Sequence, residues 1–99
     1  MTRTFRIRED EKHGRMILTD EGGRTMFSLQ DLCSLFDADV NSVLPVLKNK
    51  TLTLDVPDRG QHIFIGQKDA FRVLDAINEQ GKGNKYHDFW LRNFAFQFY

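Results

Sequence analysis

The stretch FSLQDLCSLFDADVNSVLPVLKNK, Phe27 to Lys50, decides how the chain folds. Ser28 is placed to cap a helix through its hydroxyl, and Asp31 three positions on gives a capping-box-like pattern that favours the positive helix end. Leu29, Leu32, Cys33 and Phe36 then recur at i, i+3, i+4 and i+7, one buried helical face. After the acidic turn DAD, Asn41 is a good cap for a second, short helix with Val43, Leu44 and Leu47 as its apolar stripe. Pro45 falls in its first turn, where a missing N–H costs little. Two amphipathic segments joined by a tight turn are either a helix-turn-helix that reads DNA or two helices packing a small core.

Outward from this stretch the pattern changes period. On the N-terminal side, TFRIRE alternates apolar and basic residues like a half-buried edge strand. DEKHG turns the chain into a second strand, RMILT, and DEGGR turns it again through Gly22 and Gly23 into a third over Arg24 to Phe27. On the C-terminal side, TLTLDV and QHIFI alternate on either side of PDRG and predict a β-hairpin. Asp69 to Gln80 places Ala70, Val73, Leu74 and Ile77 on one face with Phe71 beside it, and Gly81 is a natural helix stop. Beyond GKGNK, Tyr86, Phe89, Trp90 and Phe94 form a further helical stripe before the aromatic end AFQFY. The expected fold is α+β: small antiparallel strands and a hairpin packed with about four helices, including the helix-turn-helix-like pair, in one domain over residues 1–99.

Composition limits the function classes. The 99 residues are 40% hydrophobic with nine Phe, one Trp and two Tyr, enough for one core and no more. No apolar run is long enough for a membrane span and the N-terminus lacks the pattern of a signal peptide, so a cytoplasmic protein is expected. Cys33, the single cysteine, lies on an apolar stripe, where it acts as a small hydrophobe. His13, His62 and His87 are too scattered for a metal motif, and Asp37 and Asp39 read as a solvated turn and cap before a cation site. No catalytic constellation stands out, so neither enzyme activity nor a cofactor is expected.

Fourteen Lys and Arg against fourteen Asp and Glu leave no net charge, so nucleic-acid binding has to be argued locally. Residues 28–47 hold no Lys or Arg, while Lys48, Lys50, Arg59, Lys68 and Arg72 follow in the next stretch, an asymmetry that can leave one face positive. In the DNA-binding reading, Asn41, Ser42 and Asn49 reach base edges while Lys48 and Lys50 hold phosphates. In the other, Asn41 is only a cap and the lysines are solvated ends. Arg59 at the hairpin tip is either a flexible arginine arm or an ordinary turn residue, and Lys82 and Lys85 belong to a basic loop after a helix stop.

The succession TMFSLQDLCSLF, VNSVLPVLKNK, QHIFIGQKDAFRVL and KYHDFWLR resembles the Bro-N domain of baculovirus repeated-ORF proteins and bacteriophage antirepressors. The likeness covers roughly Phe5 to Arg92. Asp31, Leu32 and Cys33 match that family's first helix start, Asn41 its short second helix and Trp90 its Phe-x-x-Trp-like segment; Ala70 and Phe71 depart from its small-residue pattern. The resemblance implies an α+β fold and a phage- or mobile-element-derived, antirepressor-like transcription regulator that binds double-stranded DNA.

The aromatic end supports an alternative. Trp90, Phe94, Phe96, Phe98 and Tyr99 concentrate more apolar surface than one helix face buries, and such residues anchor protein interfaces. They would serve a protein-binding inhibitor that captures a repressor or host defence protein, or a homodimer seam; equally, the segment folds back over the N-terminal strands. Deleting residues 96–99 separates these cases. The interface reading expects a lower mass in sedimentation with unchanged thermal unfolding, whereas an unchanged mass with a much lower melting temperature assigns the segment to the core.

Overall fold

The computed structural model describes residues 6–10, 16–21 and 24–82. Their order is three strands, β1 (Arg6–Asp10), β2 (Met16–Glu21) and β3 (Arg24–Ser28), then helices α1 (Leu29–Leu35) and α2 (Val40–Val43) with a 3-10 turn over Leu44–Val46. Strands β4 (Leu52–Val56) and β5 (Gly60–Ile65) and helix α3 (Gln67–Glu79) complete it. The class is α+β. All five strands belong to one antiparallel sheet in the order β1-β2-β3-β5-β4. The sequence separates an N-terminal group of strands from a later pair; the structure joins them through β3 and β5, with Phe27 opposite Ile65 and Ser28 opposite Phe64.

That joint is short because β3 ends where α1 begins. The Ser28 hydroxyl accepts the Asp31 N–H at 3.2 Å, so the last residue of the strand is also the helix cap. Side chains then replace the missing ladder. Gln30 Oε1 accepts the Ile63 N–H at 2.9 Å, and Ser28 Oγ lies 2.7 Å from Nδ1 of buried His62. Arg59 Nη1 reaches both carboxylate oxygens of Asp31 at 3.4 Å.

Helices α1 and α3 stop in the same way. In α1 the Ala38 N–H bonds the Cys33 carbonyl and the Asp37 N–H the Ser34 carbonyl; in α3 Lys82 bonds Ile77 and Gly81 bonds Asn78. Both are Schellman ends, which need a left-handed residue just past the cap. Gly81 (φ 75°) takes that conformation without a side-chain clash, and Asp37 (φ 55°) does so as one of the few non-glycine types that tolerate it. The Lys82 ammonium donates to the Asp37 carbonyl at 3.1 Å, tying one helix end to the other.

Two expectations for the second helix need correction. Asp39, not Asn41, is the cap: its Oδ1 accepts the Asn41 N–H at 3.0 Å, leaving Asn41 inside the helix. The helix is also only four residues before it tightens to 3-10 at Leu44-Pro45-Val46. Tightening takes Leu44 off the buried stripe. It is 38% exposed, while Val43 is fully buried.

The main core lies where the helices cover one sheet face. Phe27 and Ile65 from the sheet meet Leu29, Leu32, Cys33 and Phe36 of the α1 region, Val43 of α2, and Ala70, Val73, Leu74 and Ile77 of α3. Met26, Val56 and Phe64, whose side chains alternate to the opposite face, form a second buried cluster with Leu52 and Leu54 packed against it. The segment from Tyr86 to Phe94, expected to be helical, lies outside the described residues.

Leu32 and Leu74 are 1% and 2% exposed, from different helices in the same cluster. Truncation of either to Ala is expected to cost about 2–5 kcal/mol, a large share of the roughly 5–15 kcal/mol that holds a domain folded. Denaturant midpoints test this, and a midpoint at the parent value would remove that leucine from the core.

Candidate functional site

The carboxylate of Asp69 is a meeting point of hydrogen-bond donors from two segments of the chain. It sits in the first turn of α3, where a negative charge complements the helix dipole, and its side chain is fully buried. Four donors converge on it. The backbone N–H groups of Lys48 and Asn49 bond its two oxygens at 3.1 and 3.0 Å, Arg72 Nη1 approaches to 2.7 Å, and Asn49 Nδ2 stands at 3.5 Å. A buried carboxylate is tolerated only when its lone pairs are met, and here both backbone and a guanidinium meet them.

Burial alone would raise the Asp69 pKa. The Lys48 N–H, the Arg72 guanidinium and the Asn49 N–H together outweigh that cost and hold it below its ordinary 3.8. Asp69 is therefore a permanent anion at neutral pH.

This carboxylate gathers basic residues that the sequence separates. It fixes the loop carrying exposed Lys48 and Lys50 against the start of α3, which carries exposed Lys68 and, one turn on, Arg72. Lys68 and Arg72 stand at i and i+4, the spacing that puts side chains on one helix face. The loop and the helix start together carry four cationic residues, of which the Arg72 guanidinium contacts the carboxylate, in a chain that is neutral overall. In α3 the first turn carries both Lys68 and Asp69, of which only Asp69 complements the dipole, whereas Asp75 and Glu79 lie toward the C-terminal end, where positive charge is favoured. Each charge placed against the dipole costs roughly 0.3–1 kcal/mol.

The other residues singled out by the sequence have different placements. Ser42 Oγ donates to the Asp39 carbonyl at 2.6 Å and accepts from Gln80 Nε2 at 3.1 Å. Asn49 is exposed, with its amide turned toward Asp69; Asn41 is exposed on α2. Arg59 is drawn back to Asp31, and Lys82 to the end of α1. Lys85, Trp90, Phe94, Phe96, Phe98 and Tyr99 lie outside the described residues. Sequence reasoning grouped Lys68 and Arg72 with Lys48, Lys50 and Arg59 as basic positions able to leave one face positive, but did not count Lys68 and Arg72 among the DNA contacts, and it missed Asp69 as an organiser. The available signal was an acid in the first turn with an arginine three residues on; its partners in the 48–49 loop had none.

Cys33 is 1% exposed, and burial, helped by the nearby Asp39 charge, pushes its thiol up to about 11. It remains a thiol at neutral pH, which does not suit nucleophilic chemistry. Among the described residues no group of three or more His, Cys, Asp or Glu is placed to hold a metal ion, and no helix is long and apolar enough to cross a membrane. No protein-family model, curated protein or solved structure matches this chain.

Asp69→Asn is expected to destabilise the fold by roughly 2–4 kcal/mol at neutral pH, because the Lys48 and Asn49 N–H groups lose an anionic acceptor and Arg72 its partner. The folded pKa is depressed, so this stabilisation is fully present above 3.8 and disappears as the pH falls through the folded value. Chemical denaturation of parent and variant across that range should show their difference shrinking on acidification. A difference independent of pH would mean that the carboxylate charge does not hold the loop.

Proposed function

We propose that this chain is a small, non-enzymatic DNA-binding regulator of the antirepressor-like kind, acting in the cytoplasm and docking double-stranded DNA on the basic surface around Asp69. The observation that carries the reading is the convergence of the 48–50 loop and the start of α3 on one buried carboxylate, which sets Lys48, Lys50, Lys68 and Arg72 around a common point. Local positive charge held on a rigid support is what phosphate contact requires, and overall neutrality does not oppose it at short range. The resemblance of the segment order to Bro-N domains points to the same class of partner. Within this reading the α1–α2 pair takes the place of a helix-turn-helix as a support for the basic loop.

Lys48 and Lys50 are exposed, so replacing both with Ala should leave the melting temperature near the parent value. If each neutralises one phosphate, the slope of log affinity against log salt should fall by about 1.8. Fluorescence anisotropy with a labelled duplex over a salt series makes the measurement. An unchanged affinity and slope would remove this loop from the interface.

A further inference from the structure

The polar side chains best placed by sequence to read bases are largely engaged within the protein. Ser42 uses its hydroxyl proton on the Asp39 carbonyl and receives the Gln80 amide, and the Asn49 amide faces Asp69. Helix α2 is barely more than one turn long, with Val40 partly buried and Val43 fully buried, so it presents only Asn41 and Ser42 outward. A recognition helix reads a major groove with three or four side chains from an exposed face, and direct readout needs both donors and acceptors that are available to the base edge. Besides Asn49, the exposed residues of the loop and helix start around Asp69 include Lys48, Lys50 and Lys68, which act on phosphate as point charges.

Among the described residues the same surface shows no fully exposed aromatic ring for a single strand. Sequence-tolerant binding of single-stranded nucleic acid relies on aromatic rings on which bases stack. Over residues 25–82 the one large apolar side chain that is exposed is Leu44, which has no ring. Phe27, Phe36 and Phe64 are buried in the two clusters, and Phe71, between Lys68 and Arg72 on α3, is half-buried and packs against the first of them.

From these observations, and resting on the DNA-binding reading above, we infer that the surface formed by Lys48, Lys50 and Lys68 grips the phosphate backbone of a duplex without reading its sequence. Arg72 stays with Asp69 and positions the loop. The three lysines neutralise three phosphates, giving a salt slope of about 2.7 and a loss of roughly 40-fold in affinity between 50 and 200 mM salt. DNA and RNA duplexes offer the same charge, and both are included in the test.

The experiment is anisotropy of the full chain at low salt with two DNA duplexes of unrelated sequence and equal length, an RNA duplex and an oligothymidine single strand; vesicles of phosphatidylserine form a parallel arm by co-sedimentation. Affinities for the two DNA duplexes are expected to agree within about threefold, against the 10³-fold or more typical of specific recognition, and to exceed that for the single strand. Asn41→Ala should leave both unchanged. A preference above roughly tenfold for one DNA duplex, or a loss confined to one duplex in Asn41→Ala, would overturn sequence-independent gripping while preserving the DNA-binding reading. Tighter binding to oligothymidine would also overturn it. Equal affinity for DNA and RNA duplexes marks the phosphate charge as the ligand, and preference for either identifies which duplex supplies it. Failure to bind any nucleic acid, with or without binding to the vesicles, would reject the DNA-binding reading itself.

Discussion

A single buried carboxylate determines how the second half of this fold is assembled. Asp69 has to accept hydrogen bonds because it is out of water, and the nearest unsatisfied donors are the N–H groups that follow the 3-10 turn. The chain leaves α2 in a loop without regular backbone pairing, and the carboxylate supplies the acceptors that a strand or helix would otherwise provide. Arg72 closes the arrangement from one turn further along the same helix. Removing any one member leaves the others with buried polar atoms and fewer partners, so the loop, the helix start and the basic surface are energetically one unit.

Around this centre the molecule repeatedly uses side chains where backbone pairing runs out. Ser28, Gln30 and Asp31 at the start of α1 meet His62, Ile63 and Arg59 of β5 and its turn. At the far ends of the helices, Lys82 closes on Asp37 and Gln80 on Ser42. The exposed contacts of Lys82 and Gln80 each contribute little, whereas the buried and part-buried ones, Arg59–Asp31 among them, fix the register of elements that share few ladder bonds. Apolar burial supplies most of the stability, and the polar contacts select one arrangement of the parts.

Local features were legible in the sequence because their causes are local. Ser28 caps α1, the Leu29–Leu32–Cys33–Phe36 stripe is buried, and Gly81 ends α3 through its positive φ, each a consequence of residues within one or two turns. Asp39 and Asn41 are both competent caps two residues apart, so residue type alone does not choose between them; the Schellman end at Asp37 and Ala38 does, by setting where the next helix begins. Leu44 fits the periodic stripe and leaves it only because the helix tightens at Pro45. The Asp69 contacts and the pairing of β3 with β5 join residues 20 or more positions apart, and no periodicity or spacing rule reaches that far. That the basic residues after Leu47 can share one face was legible from their spacing in the chain; the carboxylate that joins the loop to the helix start was hidden with those contacts.

The two-residue joint between β3 and β5 has a consequence for the entropy of the chain. Within the β1–β2–β3 meander and within the β4–β5 pair, strands that are neighbours in sequence are neighbours in space, and their pairing closes only short lengths of chain. The joint instead brings together Ser28 and the His62–Phe64 segment across a stretch containing α1, α2, the 3-10 turn and β4. Loop-closure entropy grows with the logarithm of the length enclosed, so the largest single closure in the sheet falls on its fewest ladder bonds. Most of that closure is offset by burial of Phe27 and Ile65 against the three helices, which makes the continuity of the sheet a property of the core beneath it more than of the hydrogen bonds along its strands.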